Sequence, residues 1–156
     1  MKIGSMGGTF DPIHNGHLML GQAAYEAFGL DEVWFLPNGN PPHKESSRIE
    51  ASAKERVEMT RLAVSGIPYF RVEPYEAERD AVSCTWQTLE YFRGKYPDDQ
   101  MFFIIGADSL FTIERWIHPE RIFPLCTILA AYRDEVNSRE LMEEQIHRHT
   151  DKYHAD

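Results

Sequence analysis

Short apolar runs alternate with stretches of helical periodicity along this chain, and that alternation restricts its fold more than any other feature. Lys2 to Met6 reads as a short strand running into glycines. From His17 to Phe28, the residues Leu20, Ala23, Ala24, Ala27 and Phe28 recur at helical spacing, and Gly29 is a stop signal. Val33 to Leu36 is a second strand, bounded by acids and Pro37, and the polar PNGNPPHKESS stretch after it reads as a loop. Ser52 with Glu55 makes a capping box for a helix through Val64, whose Ala53, Val57, Thr60 and Val64 keep one face. Phe70 to Glu73 predicts a strand, and Thr85 to Tyr96 a helix with Leu89, Phe92 and Tyr96 on one side. Met101 to Ile105 is the clearest strand and ends at Gly106. A short helix through Trp116, a turn of helix near Pro119 to Phe123 and a strand from Thr127 to Ala131 follow. Asn137 with Glu140 caps a last helix lined by Met142, Ile146, His149 and Tyr153.

Strands separated by helices of this length predict an α/β fold: a Rossmann-like, doubly wound parallel sheet with helices on both faces and right-handed crossovers. At 156 residues the expectation is a single domain. Ligands of such open sheets bind outside the carboxyl ends of the strands. Gly7, Asn38, Gly106 and the loops after them are therefore predicted to share one edge.

Charge and cysteine content exclude several classes. The net charge of −9, from 25 acidic and 16 basic residues, repels long nucleic acid and anionic membrane, while leaving a locally held small nucleotide possible. Cys84 and Cys126 are far apart and in no C-x-x-C spacing, so neither a disulfide framework nor a structural zinc site is expected. The opening MKIGSMGG has no apolar signal core, and no run approaches the roughly 18 apolar residues of a membrane span. A reduced, soluble, cytoplasmic protein is the expectation.

The chemistry concentrates in GGTFDPIHNGH, residues 7 to 17, which leaves a predicted strand and opens a predicted helix. Gly7 and Gly8 let backbone approach a polyphosphate, and successive N–H groups there can cradle anionic oxygens. The helix beginning near Gly16 adds the positive end of its dipole. His14 and His17 are three residues apart and project the same way if the turn is helical. A glycine-rich turn with two surface histidines is the bland alternative. The whole run in strand–loop–helix context favours phosphate binding over it.

HNGH at 14–17 matches the H-x-G-H signature of the nucleotidyltransferase superfamily. The chain further resembles the bacterial nicotinate-nucleotide adenylyltransferase family. PNGNPPHK at 37–44 is similar to that family's P-x-x-x-P-P-H-K loop, SCTWQTL at 83–89 to its Ser-x-Thr-x-x-Thr-Leu segment, and GADSL at 106–110 to its Gly-Ala-Asp turn. Trp116 stands where the family has a tryptophan. The resemblance implies adenylyl transfer from ATP to nicotinate mononucleotide, giving deamido-NAD and pyrophosphate, as a step of NAD biosynthesis.

The same resemblance implies roles for particular residues. His14 and His17 would contact the ATP phosphates, and Gly7, Gly8, Thr9 and Phe10 would form and shape the phosphate loop. Gly106 and Asp108 would lie beside the ATP nucleoside, although Asp108 as a plain helix cap is compatible. Lys44 would reach a phosphate and act in catalysis; by itself, a lysine beside Glu45 in a polar loop reads as solvated. Thr85 and Trp116 would hold nicotinate mononucleotide, with a helix cap and core packing as their respective alternatives. Mg²⁺ is implied with ATP, without dedicated protein ligands. His147, His149 and His154 read as a solvated helix face, and a homo-oligomer is compatible with all of this.

The family continues past this point with another strand and an Ile-Ser-Ser-Thr-x-x-Arg type motif for the ATP β- and γ-phosphates, and no such motif occurs in these 156 residues. Either a truncated product or a shortened relative, in both cases with weak ATP binding and impaired catalysis, is therefore expected. The rival readings are phosphopantetheine adenylyltransferase, which shares the first motif but lacks PPHK and the tryptophan, and a non-catalytic nucleotide-binding module.

Overall fold

A computed structural model of the protein describes residues 1–8, 10, 12–39, 52–79, 84–106 and 119–131. Their elements follow in the order β1 (Lys2–Gly8), α1 (Asn15–Phe28), β2 (Glu32–Pro37), α2 (Ala53–Val64), β3 (Phe70–Val72), α3 (Tyr75–Glu78), α4 (Thr85–Lys95), β4 (Gln100–Gly106), α5 (Pro119–Ile122) and β5 (Thr127–Ala131). All strand pairs are parallel, and the sheet order is β3-β2-β1-β4-β5. The sheet is thus doubly wound about β1.

Two apolar layers cover it. On one face Met6, Val33, Phe35, Phe70, Phe102 and Ile104 meet Ala24 of α1 and Val64 of α2. On the other, Ile3, Trp34, Leu36 and Met101 pack on Phe92 of α4, and Phe103 and Ile105 pack on Leu89 and Ile122. Near-continuous apolar strands are what burial on both faces requires. Among the described residues no helix is long and apolar enough to cross a membrane.

Local signals set the element ends. Gly29 stops α1 in the left-handed region, at φ 63°, where its lack of a Cβ removes the steric cost. Ser52 Oγ accepts from Glu55 N–H at 3.1 Å, while a Glu55 carboxylate oxygen accepts from Ser52 N–H at 3.3 Å, so the predicted capping box starts α2. The short α3 has no counterpart in the sequence reading. The predicted helices through Trp116 and after Asn137 lie outside the described residues.

The ladders also show where the sheet opens. β1 pairs with β2 as far as Gly8–Pro37, and β4 with β5 as far as Gly106–Ala131. Between β1 and β4, however, pairing ends at Ser5–Phe103, three residues short of both Gly8 and Gly106. The two strands part there, at the point where the strand order reverses. That is the crevice such sheets use for ligands.

Candidate active site

β1 delivers Gly7 and Gly8 to this crevice. A Cβ at Gly8 would sit 2.8 Å from Phe10 Cε1, so only glycine fits beside that ring. Phe10 itself takes φ 50°, a left-handed conformation that is unusual for a bulky side chain. Strain of this sort costs on the order of 1–3 kcal/mol and persists where the surroundings enforce it. Here they do: Phe10 is 3% exposed, tilted against Phe35 at 6.0 Å and edge-on to His17 at 5.0 Å. The strained turn therefore sets the height at which His17 stands.

His14 and His17 begin α1 through a reciprocal cap. His14 Nδ1 accepts from Gly16 N–H at 3.1 Å, and His17 Nδ1 accepts from His14 N–H at 3.1 Å. The rings stack at 3.8 Å between centroids. Each bond has a backbone N–H as its donor, so each Nδ1 must be unprotonated and a neutral ring carries its proton on Nε2. Burial, and then the neighbouring His14, hold His17 below the usual imidazole range, which favours that neutral form. The pair thus presents two Nε2–H donors suited to anionic oxygens. His14 is exposed and His17 half-buried, which leaves both approachable.

Gly106 closes β4 across the crevice, with no atom of the described residues within 4 Å of a Cβ built there. Thr85 is the first residue of α4 and half-buried. It is not the cap: Cys84 occupies that position, without a side-chain cap hydrogen bond. Thr85 is thereby left out of the capping role that a plain helix start would give it. Gly8 meets Phe10, Phe10 meets His17 and His17 stacks on His14, while Gly7 precedes them on β1 and Gly106 ends the neighbouring strand β4. Thr9, Lys44, Asp108 and Trp116, like His147, His149 and His154, lie outside the described residues.

Two further groups at this edge were not singled out in the sequence. Arg56 of α2 is 2% exposed and donates to Asn38 and Gly39 after β2. Glu76 of α3 is buried, and burial pushes its carboxyl up to about 7, against the opposing effects of a hydrogen bond with Thr88 and the charge of Arg79. The folded chain consequently binds that proton more tightly than the unfolded chain does. Stability from this group is complete below about pH 4.5 and falls by about 1.4 kcal/mol per unit as pH rises to about 7, then levels off. Glu76→Gln is expected to flatten that slope. Its melting temperature should exceed the parent's by roughly 5–10 °C near pH 8 and by much less near pH 5. Equal differences at both pH values would show that the carboxyl titrates elsewhere.

The chain is similar to several known proteins. A family model described as cytidylyltransferase-like matches residues 5–153. Nicotinate-nucleotide adenylyltransferase of Bacillus subtilis (strain 168) is 42% identical over 132 residues, spanning 85% of this chain and 69% of that protein. A Lachnoclostridium phytofermentans protein named "Probable nicotinate-nucleotide adenylyltransferase" is 40% identical over 154 residues, 99% of this chain and 76% of its own length. Among solved structures, Plasmodium falciparum nicotinic acid mononucleotide adenylyltransferase complexed with NaAD superposes with a TM-score of 0.77 at 17% identity, over 92% of this chain and 70% of that one, which shows a shared fold. The chain belongs to the cytidylyltransferase-like family and, within it, to the nicotinate-nucleotide adenylyltransferases.

Proposed function

We propose that this chain transfers the adenylyl group of ATP to nicotinate mononucleotide, giving deamido-NAD and pyrophosphate. The observation that carries the reading is the pair of imidazoles at the start of α1 whose Nδ1 atoms are engaged by backbone N–H groups, one of them packed edge-on against Phe10 beside Gly8. A phosphate oxygen of the mononucleotide attacks the ATP α-phosphorus. The bond from that phosphorus to its bridging oxygen breaks, and pyrophosphate leaves with the electron pair. Because each Nδ1 is already engaged, the histidines act as neutral donors to the oxygens on which charge accumulates and not as bases.

The same reading assigns Gly7, Gly8, Thr9, Phe10, Gly106 and Asp108 to ATP, and Lys44, Thr85 and Trp116 to the mononucleotide. Among the described residues, no three His, Cys, Asp or Glu side chains group around a common point. The imidazoles at the start of α1 offer N–H donors, which suit anions and not a cation. A Mg²⁺ ion accompanying ATP would neutralise the polyphosphate while held by its oxygens and water.

The deciding experiment supplies ATP with either nicotinate mononucleotide or phosphopantetheine and follows pyrophosphate and the dinucleotide product. Deamido-NAD formed from the first acceptor and nothing from the second is the expected outcome. Turnover of phosphopantetheine would overturn the acceptor assignment. Thermal stabilisation by ATP without any pyrophosphate release would leave a binding module instead of an enzyme.

A further inference from the structure

Arg56 is almost wholly buried, and its fork reaches from α2 to the chain leaving β2. Nη1 donates to Asn38 O at 2.7 Å and to Asn38 Oδ1 at 3.1 Å, and Nη2 donates to Gly39 O at 3.2 Å. Asn38 N–H in turn donates to Gly8 O at 2.9 Å, tying this point to the glycine turn. On the far side, a Cβ at Gly39 would stand 2.7 Å from Glu76 O, so α3 lies directly on it. Glu76 also lies beside Thr88 of α4, whose hydroxyl donates to Cys84 O at 3.4 Å at the start of that helix. One guanidinium therefore fixes two consecutive carbonyls at a junction of α2, β1, β2 and α3, with the first turn of α4 next in line.

Burying a guanidinium is costly, and a site needing only volume is filled as well by an aliphatic side chain. What the planar fork adds is direction, because its donors leave at fixed angles. We propose that Arg56 is a positioning residue for the acceptor side of the site, holding the Asn38–Gly39 backbone in register with α3 and the first turn of α4. The inference rests on the adenylyl-transfer reading, which assigns Thr85 in that turn to nicotinate mononucleotide.

The test compares Arg56→Lys and Asn38→Ala with the parent chain. It measures melting, the KM values of both substrates, and calorimetric Kd values for ATP and for nicotinate mononucleotide separately. Lysine keeps the charge and loses the fork, so the acceptor constants should rise about 10- to 100-fold, while those for ATP stay within about twofold. Asn38→Ala removes the bond to Oδ1 while leaving those to the Asn38 and Gly39 carbonyls, and should shift the acceptor constants in the same direction by less; it decides the matter if Arg56→Lys does not fold. A folded variant with unchanged acceptor constants overturns the proposal. So does equal weakening toward both nucleotides in step with lost stability, since that is what a purely structural arginine predicts. A parent chain that binds the mononucleotide but releases no pyrophosphate defeats the adenylyl-transfer reading alone, and the Kd series still judges Arg56. A parent chain that does not bind the mononucleotide defeats both.

Discussion

His17→Ala is expected to lower kcat by about 10²- to 10³-fold, the scale on which an enzyme loses one preorganised donor to developing charge. That substitution also deletes the bond from His14 N–H to His17 Nδ1, so part of the loss would come from a loosened helix start. Two other substitutions separate the effects. Asparagine is a good N-cap and glutamine a good third helical residue, so His14→Asn and His17→Gln keep the reciprocal cap while removing an imidazole Nε2–H. Both should melt close to the parent chain and still lose activity by at least about tenfold each. Retention of parental kcat in either, measured as pyrophosphate release at saturating ATP, would mean that the ring acts only as a cap.

Phe35→Ala should carry the largest cost in stability. Phe35 is fully buried, edge-on to Phe70 at 4.9 Å and tilted against Phe10 at 6.0 Å. Helix α1 also rests on it, since a Cβ at Gly21 would come within 3.1 Å of Phe35 Cζ. Truncating such a ring costs about 3–5 kcal/mol. For a chain of this length that is a fall in Tm of roughly 10 °C or more. Activity should suffer below the melting temperature as well, because Phe10 loses the wall that keeps its strained backbone in place and His17 then loses Phe10. Denaturant unfolding showing a loss under about 1 kcal/mol would indicate that the core refills the space.

Much of this was legible beforehand, for identifiable reasons. The sheet was predicted because β2 and β4 are apolar runs and the gaps between strands are long enough for a crossover; Gly29 and the Ser52–Glu55 box marked helix ends through chemistry that acts over one turn. The edge shared by Gly7, Asn38 and Gly106 followed from topology alone. Helix α3 did not show, since a four-residue helix has no period to detect. Arg56 was passed over because charge reads as surface, yet Arg56, Thr60 and Val64 are spaced by four, and all three are buried. That spacing was the available signal. The capping work of His14 and His17 was hidden for another reason: histidine is not among the favoured caps, and only the positions of its two ring nitrogens reveal it.

The shared imidazoles have a consequence for how the phosphate grip is maintained. One nitrogen of each ring is spent on keeping the first turn wound, and in the proposed function the other would meet an incoming anion. Unwinding that single turn withdraws both contacts at once, and an occupied grip resists the unwinding. Holding the nucleotide and closing the beginning of α1 are thus the same equilibrium viewed from two ends.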